Sequence, residues 1–251
     1  MNLTLKENIK ELNENLTAFP EAESIFVKEQ AWLKEHLLPL ISIDLGELNS
    51  HWQGTKVHLL NPIEPYEGYI GEQTSEYHNE FTAMNWLAFR LNEQNQYEFL
   101  GNEGYFLRSP LHEQSWDEDE QEHFAEMVEI YNESKAQVAK DGYLIFPRSE
   151  PFKGKPNITN FLDRLGGGTW YGNWTESAEM PSAFEMKLPP VGTTYDEMEQ
   201  MLNSGIEISY NGNPFYFIAD VSGYNYCDGA DAIILFYEPV SRIVLFTFDW
   251  S

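Results

Sequence analysis

The chain has 251 residues, 42% hydrophobic and 15% aromatic, and a formal charge of −26 from 41 Asp and Glu against 15 Lys and Arg. This length and apolar content suit one large or two small cored domains and exclude a disordered chain despite the charge. A field this negative repels nucleic acid and anionic lipid and attracts basic partners, although net charge also serves solubility alone.

The single cysteine, Cys227, excludes an intramolecular disulfide and a Cys-rich zinc site. The opening MNLTLKENIKELNENL lacks the apolar stretch of a secretory signal, and no run of about 18 apolar residues offers a membrane span. A cytoplasmic location is therefore expected, where Asn-x-Ser/Thr triplets have no glycosylation meaning.

In chain order, Leu5, Ile9, Leu12 and Leu16 recur at helical spacing and predict a first helix. Pro20 opens a second, through Ile25, Phe26, Trp32, Leu33 and Leu37, which Pro39 closes. Short strands follow at LISIDL (40–45), KVHLLN (56–61), within FTAMNWLAFRL (81–91), and at YEFL (97–100) and YFLR (105–108). Gly101-Asn102-Glu103-Gly104 reads as a hairpin-like link between the last two.

A long helix is predicted from 115 to about 141, with Ser115 as N-cap and Asp117 to Glu120 favoured by the helix dipole in its first turns. Phe124, Met127, Val128, Tyr131 and Val138 make its apolar stripe and Gly142 its left-handed stop. YLIF (143–146) reads as a buried strand. The loop PRSEPFKGKPNITN (147–160) marks a boundary between an N-terminal α+β region, 1–150, and a C-terminal β-rich region, 151–251. One continuous domain is the alternative.

Beyond it come a strand at FEMKLP (184–189), a short helix over 194–205 ending at Gly205, and IEISY (206–210) turning through Asn211-Gly212-Asn213-Pro214 into FYFIADV (215–221). AIILFYEP (232–239) and RIVLFTFDW (242–250) are apolar enough to be adjacent central strands. The expected fold class is α+β: a mostly antiparallel sheet with helices at the N-terminus and one long central helix. No internal repeat of fixed period is visible.

LGGGTWYGNW (165–174) raises two binding chemistries. A phosphate loop needs a lysine and a helix after its glycines, and no lysine follows until Lys187. Trp170, Tyr171 and Trp174 would suit a carbohydrate or other small ligand; the competing reading is a glycine-permitted turn whose rings pack inward. The six histidines form no HExxH and no i, i+4 pair, so no metal site is expected. His51 and His58 bracket Trp52 and Gly54 without carboxylates in register.

Cys227 sits beside Asp228 and Asp231, with every histidine before residue 124; acidic neighbours raise a thiol pKa and oppose reactivity. Asp220, Asp228 and Asp231 lack EF-hand spacing. No Gly-x-Ser-x-Gly elbow occurs, and no catalytic residue or cofactor is assigned.

FLDRLGGGTWYGNW, FEMKLP, FYFIADV and DGADAIILFYEP together resemble the YwqG-like bacterial family, a domain of unknown function. The resemblance spans residues 160–240 and rests on a Leu-Gly-Gly turn, a later apolar strand, and a Gly-Asp/Ala turn opening a Leu-Phe-Tyr strand. The family's middle-strand glutamine is not matched at Phe217-Ile218-Ala219-Asp220. The resemblance implies an intracellular bacterial β-rich domain with no established catalytic residues. Small acidic domains of this sort recur as immunity partners of secreted toxins.

The expected function is thus a non-enzymatic acidic cytoplasmic binding protein, in its concrete form an immunity protein neutralising a basic toxin such as a nuclease. Its contacts would be Asp117, Glu118, Asp119, Glu120 and Glu122, with exposed aromatics as anchors. A run of this kind is more often a well-capped, solvated helix start, which is the competing reading. The alternative is a small-ligand or carbohydrate-binding module on Trp170, Tyr171 and Trp174. Neither nucleic acid nor membrane is expected as a partner.

Overall fold

The two most apolar runs lie in the middle of the largest sheet. β12 (Ala232–Glu238) pairs antiparallel with β13 (Ile243–Asp249), in register from Ala232 opposite Asp249 to Glu238 opposite Ile243. Successive residues point to opposite faces, and both faces are covered. Ile233, Leu235, Tyr237, Val244, Phe246 and Phe248 enter one core, and Ile234, Phe236, Ile243 and Leu245 enter another. Burial on both sides explains why these strands read as continuous apolar runs.

The computed structural model describes residues 3–113, 116–176 and 179–250. β12 and β13 belong to a seven-stranded antiparallel sheet. Its order is β1 (Lys6–Ile9), β7 (Leu162–Leu165), β11 (Tyr216–Val221), β12, β13, β5 (Trp86–Leu91) and β6 (Tyr97–Phe99). Strands from both sides of the 147–160 loop therefore share one sheet.

A three-stranded sheet of β2 (Leu16–Ala18), β3 (Leu37–Asp44) and β4 (Lys56–Pro62) contributes to the larger core. A second, of β10 (Asn213–Pro214), β9 (Glu207–Tyr210) and β8 (Phe184–Lys187), contributes to the smaller core. The fold is α+β, mostly antiparallel, with one long helix, α2 (Glu118–Asp141). Among the described residues no helix is long and apolar enough to cross a membrane.

Of the two N-terminal helices expected from spacing, the first is replaced by strands and the second is cut short. Lys6–Ile9 forms β1 on the edge of the sheet against β7, and Leu16 begins β2. Leu5 and Leu12 are exposed, so the helical stripe has no surface to bury. A helix with no apolar face to pack is marginal in water, whereas pairing with β7 ties Lys6–Ile9 to the sheet. The second segment shortens to α1 (Ala22–Ile25) and 3₁₀ turns over Lys28–Glu35. Pro39 lies inside β3, where an irregularity between Pro39 and Ile41 tolerates its missing N–H.

Three further differences have local causes. YFLR makes no strand: Asn102 Oδ1 accepts from Gly104 N (2.8 Å) and opens a 3₁₀ turn, burying Tyr105 and Phe106. YLIF contributes one bridge, Ile145 to Ile158, although Leu144 is buried. The Asn-Gly turn closes the β9–β10 hairpin, after which the chain crosses into the large sheet as β11.

α2 begins at Glu118, capped by Asp117; the expected cap, Ser115, lies outside the described residues. Gly142 stops it at φ 78° and donates to Val138 O (2.8 Å). The predicted C-terminal helix is α3 (Tyr195–Gln200), capped by Thr194, with Gly205 left-handed after it.

Candidate functional site

α2 is amphipathic, and its two faces have different fates. Phe124, Met127, Tyr131, Ser134 and Val138 are buried, and the Tyr131 hydroxyl donates to Pro39 O (2.7 Å). Glu122, Ala125, Glu126, Glu129, Asn132, Glu133 and Ala136 are all exposed and line a shallow groove. Residues three and four apart are neighbours on a helix, so this spacing gathers four carboxylates into one stripe.

A guanidinium already sits on that stripe. Arg148, held in the left-handed region at φ 51° on the loop after α2, reaches Glu129 through Nη2 (3.0 Å), Glu133 through Nε (3.5 Å), and Glu126 through Nη1. Exposed pairs of this kind add little stability. What they display is fit: a planar N–H fork meets carboxylates on three successive positions of one helix face.

The structure redistributes the five predicted contact residues. Asp117 Oδ1 accepts from Glu120 N (2.9 Å) while Glu120 Oε2 accepts from Asp117 N (3.0 Å), so both carboxylates serve the capping box. Glu118, Asp119 and Glu122 are exposed, and of these Glu122 lines the groove. Glu126, Glu129 and Glu133 escaped the sequence reading, which followed the consecutive run; the signal was the i, i+4, i+7, i+11 spacing from Glu122.

The turn at 165–174 separates its rings instead of presenting them together. Gly166 N donates to Ile218 O (2.7 Å) and Gly167 N to Leu3 O (3.2 Å), after which the chain leaves the sheet. At φ 73° a Cβ on Gly166 would lie 2.5 Å from Thr4 O, so glycine is required.

Trp174 is fully buried, edge-on to Trp86 with centroids 5.9 Å apart, and belongs to the smaller core. Trp170 is half-buried: its Nε1 donates to Asp220 Oδ2 (2.8 Å) and the Arg164 guanidinium lies 4.7 Å over its ring. Burial raises the Asp220 carboxyl above the ordinary range, against the opposing pull of Arg164. The Tyr171 hydroxyl donates to Glu176. Trp170, Tyr171 and Trp174 thus form no common open platform, because the third ring fills a core.

Beside this turn is a cavity of about 630 Å³. Gly167, Gly168, Thr169 and Asn203 form one wall, and Ile206, Phe215, Phe217 and Phe236 reach into it. Asn203 Oδ1 accepts from Thr169 N (3.3 Å), and Lys187 pairs with Glu207 (3.4 Å) at the polar side.

Another cleft opens where α2 begins, between the 62–69 loop, the β11–β12 connection and Trp250. His123 Nδ1 lies 3.9 Å from Asp228 Oδ2 there. Burial, then Asp228 and Asp231, hold the Tyr224 hydroxyl pKa above its usual value. Cys227 lies alongside, buried, and donates its thiol to Asp228 O (3.2 Å). Burial pushes that thiol up to about 12, so it is no nucleophile near neutrality.

His36 and His58 are structural. His58 joins Ser42 Oγ (2.7 Å) and Asn95 O (2.7 Å), and His36 stacks on Phe106 at 4.6 Å. Burial lowers both to about 4. Glu64 is buried and accepts from the Leu107 and Arg108 amides, yet burial still raises it to about 7. Among the described residues no group of three or more His, Cys, Asp or Glu is placed to hold a metal ion. No family model, curated protein or solved structure matches the chain.

Proposed function

We propose that this chain is a non-enzymatic binding protein whose acidic α2 face docks a basic protein partner. The observation that carries the reading is Arg148 seated across Glu126, Glu129 and Glu133. The chain itself supplies an example of the ligand chemistry: a guanidinium on a carboxylate stripe, in a molecule of charge −26. A partner's arginines compete with Arg148 for the same carboxylates, and the surrounding field speeds the encounter. A toxin with a cationic active site, such as a nuclease, is the partner class that this chemistry neutralises by occlusion. The resemblance of residues 160–240 to the YwqG-like family leans the same way.

The test uses a defined probe, an arginine-rich helical peptide, titrated calorimetrically into the full chain at about 50 and about 300 mM salt. Binding that weakens about tenfold or more with salt, and again on Glu126→Gln/Glu129→Gln/Glu133→Gln, is expected. Binding indifferent to both changes would overturn the reading.

A second reading, a small-ligand module, is favoured by the cavity beside Gly167 and Gly168. It predicts that a glycan or metabolite panel alters Trp170 fluorescence, and that Asn203→Ala abolishes the response without unfolding the chain. A panel with no responder would remove it.

A further inference from the structure

We propose that the cleft at the start of α2 seats an arginine side chain of the basic partner, an inference that rests on the α2 reading above. The cleft encloses about 390 Å³, and the described residues lining it include Glu67, Asp228 and Asp231 but no lysine or arginine. Tyr66 and Tyr224 stand 44% and 42% exposed on its walls. Tyr66 meets His123 edge-on at 5.0 Å, and Trp250 contributes a further ring. Carboxylates repel an anion, while exposed tyrosine faces attract a cation that sheds water readily. A guanidinium satisfies both: its plane stacks on the rings and its N–H fork meets the carboxylates.

The floor gives a separate sign. Asn61 is fully buried, and its Nδ2 donates to Asp228 O (2.9 Å) and Pro62 O (3.1 Å), both from residues lining the cleft. That fixes the amide with Oδ1 turned toward Gly223 and Gly229, where it accepts no hydrogen bond. A Cβ on Gly229, itself a cleft residue, would lie 2.4 Å from that oxygen. Glycine at 229 thus lets this buried acceptor lie against the cleft wall, with its negative end adding to the carboxylates there. Buried acceptors without a donor are rare in folded chains, and a cation overhead offsets the cost of this one.

Continuity identifies the source of the cation. Glu122 lines the α2 groove and its neighbour His123 lines the cleft. The cleft is thus about 9 Å along the helix axis from Glu129, at 1.5 Å per residue. The two positions are also about 120° apart around the helix, so a partner segment with basic residues on the α2 stripe reaches the cleft over a path of about 15 Å, within about five extended residues.

The experiment is an NMR titration of the full chain with Nα-acetyl-arginine amide, using the norleucine analogue and spermidine as comparators. Expected are shifts centred on Gly68, His123, Gly229 and the Trp250 indole, with none from norleucine. Asp228→Asn/Asp231→Asn should weaken binding about fivefold or more; should that variant misfold, Glu67→Gln serves the same purpose. Three results would overturn the inference: no shifts at about 20 mM ligand, an equal response to norleucine, or unchanged affinity in a folded carboxylate variant. Tighter binding of spermidine would overturn its assignment to a partner's side chain. The α2 triple glutamine variant should leave this titration unchanged while losing peptide binding, so failure of the cleft and failure of the α2 face are separate results.

Discussion

The outer face of α2 and the turn at 165–174 invert what their residue types announce. The turn holds two tryptophans and a tyrosine, the side chains that dominate ligand platforms and interface hot spots. Yet Trp174 is consumed by a core and Trp170 by Asp220 and Arg164. The α2 face holds glutamates and alanines, the usual makings of a solvated surface, and it is there that a guanidinium is bound. Large rings are driven out of water wherever a core has room for them, whereas carboxylates on an exposed stripe remain available.

The sharpest way to break this comparison is Trp174→Ala. Truncating a fully buried indole costs about 3–5 kcal/mol, so thermal unfolding should show a large drop. A midpoint close to wild type would mean that the ring is not structural. Gly166→Ala comes next: a left-handed φ and the approach to Thr4 O should cost about 1–3 kcal/mol in a denaturant titration.

The pH dependence of stability probes the buried groups that neither region uses. His36 and His58, lowered by burial to about 4, bind fewer protons folded than unfolded between about pH 4 and 6.5. Their contribution therefore grows as pH rises through that window. Glu64, raised by burial to about 7, binds more protons folded than unfolded between about 4.5 and 7, so its contribution shrinks over the same rise. Each group changes stability by at most about 1.4 kcal/mol per pH unit. With two histidines against one carboxyl, stability should increase from pH 4.5 to 6.5, and Glu64→Gln should steepen that increase; a shallower slope in the variant contradicts the assignment.

Smaller again is Asp117→Ala, which removes the α2 cap and should cost about 1 kcal/mol by thermal unfolding. Smallest in stability is Glu126→Gln/Glu129→Gln/Glu133→Gln, whose midpoint should scarcely move although peptide binding is lost.

The central strands were the most legible. β12 and β13 could be read because both faces are covered, leaving nearly unbroken apolar runs. The N-terminus was misread because Leu5, Ile9, Leu12 and Leu16 mimic a helical period while the partner that makes Lys6–Ile9 a strand lies some 150 residues away in sequence. In the candidate site, Glu122 and the rest of the acidic run could be seen, but which acids cap and which face water is decided by helix geometry. Arg148 was invisible as a ligand mimic because the left-handed loop that turns it back onto α2 has no signature at a non-glycine residue. The cleft escaped for a related reason: it joins loops distant in sequence.

The measurement closest to the central claim compares two chains of equal charge. Glu126→Gln/Glu129→Gln/Glu133→Gln removes three carboxylates from α2, and Glu7→Gln/Glu11→Gln/Glu14→Gln removes three exposed ones from the N-terminal stretch. If the α2 face is the docking site, only the first should lose affinity for the arginine-rich peptide, by about tenfold at low salt, the second staying within about twofold of wild type. Equal losses in the two would mean that net charge alone attracts the peptide, and the α2 assignment would fail.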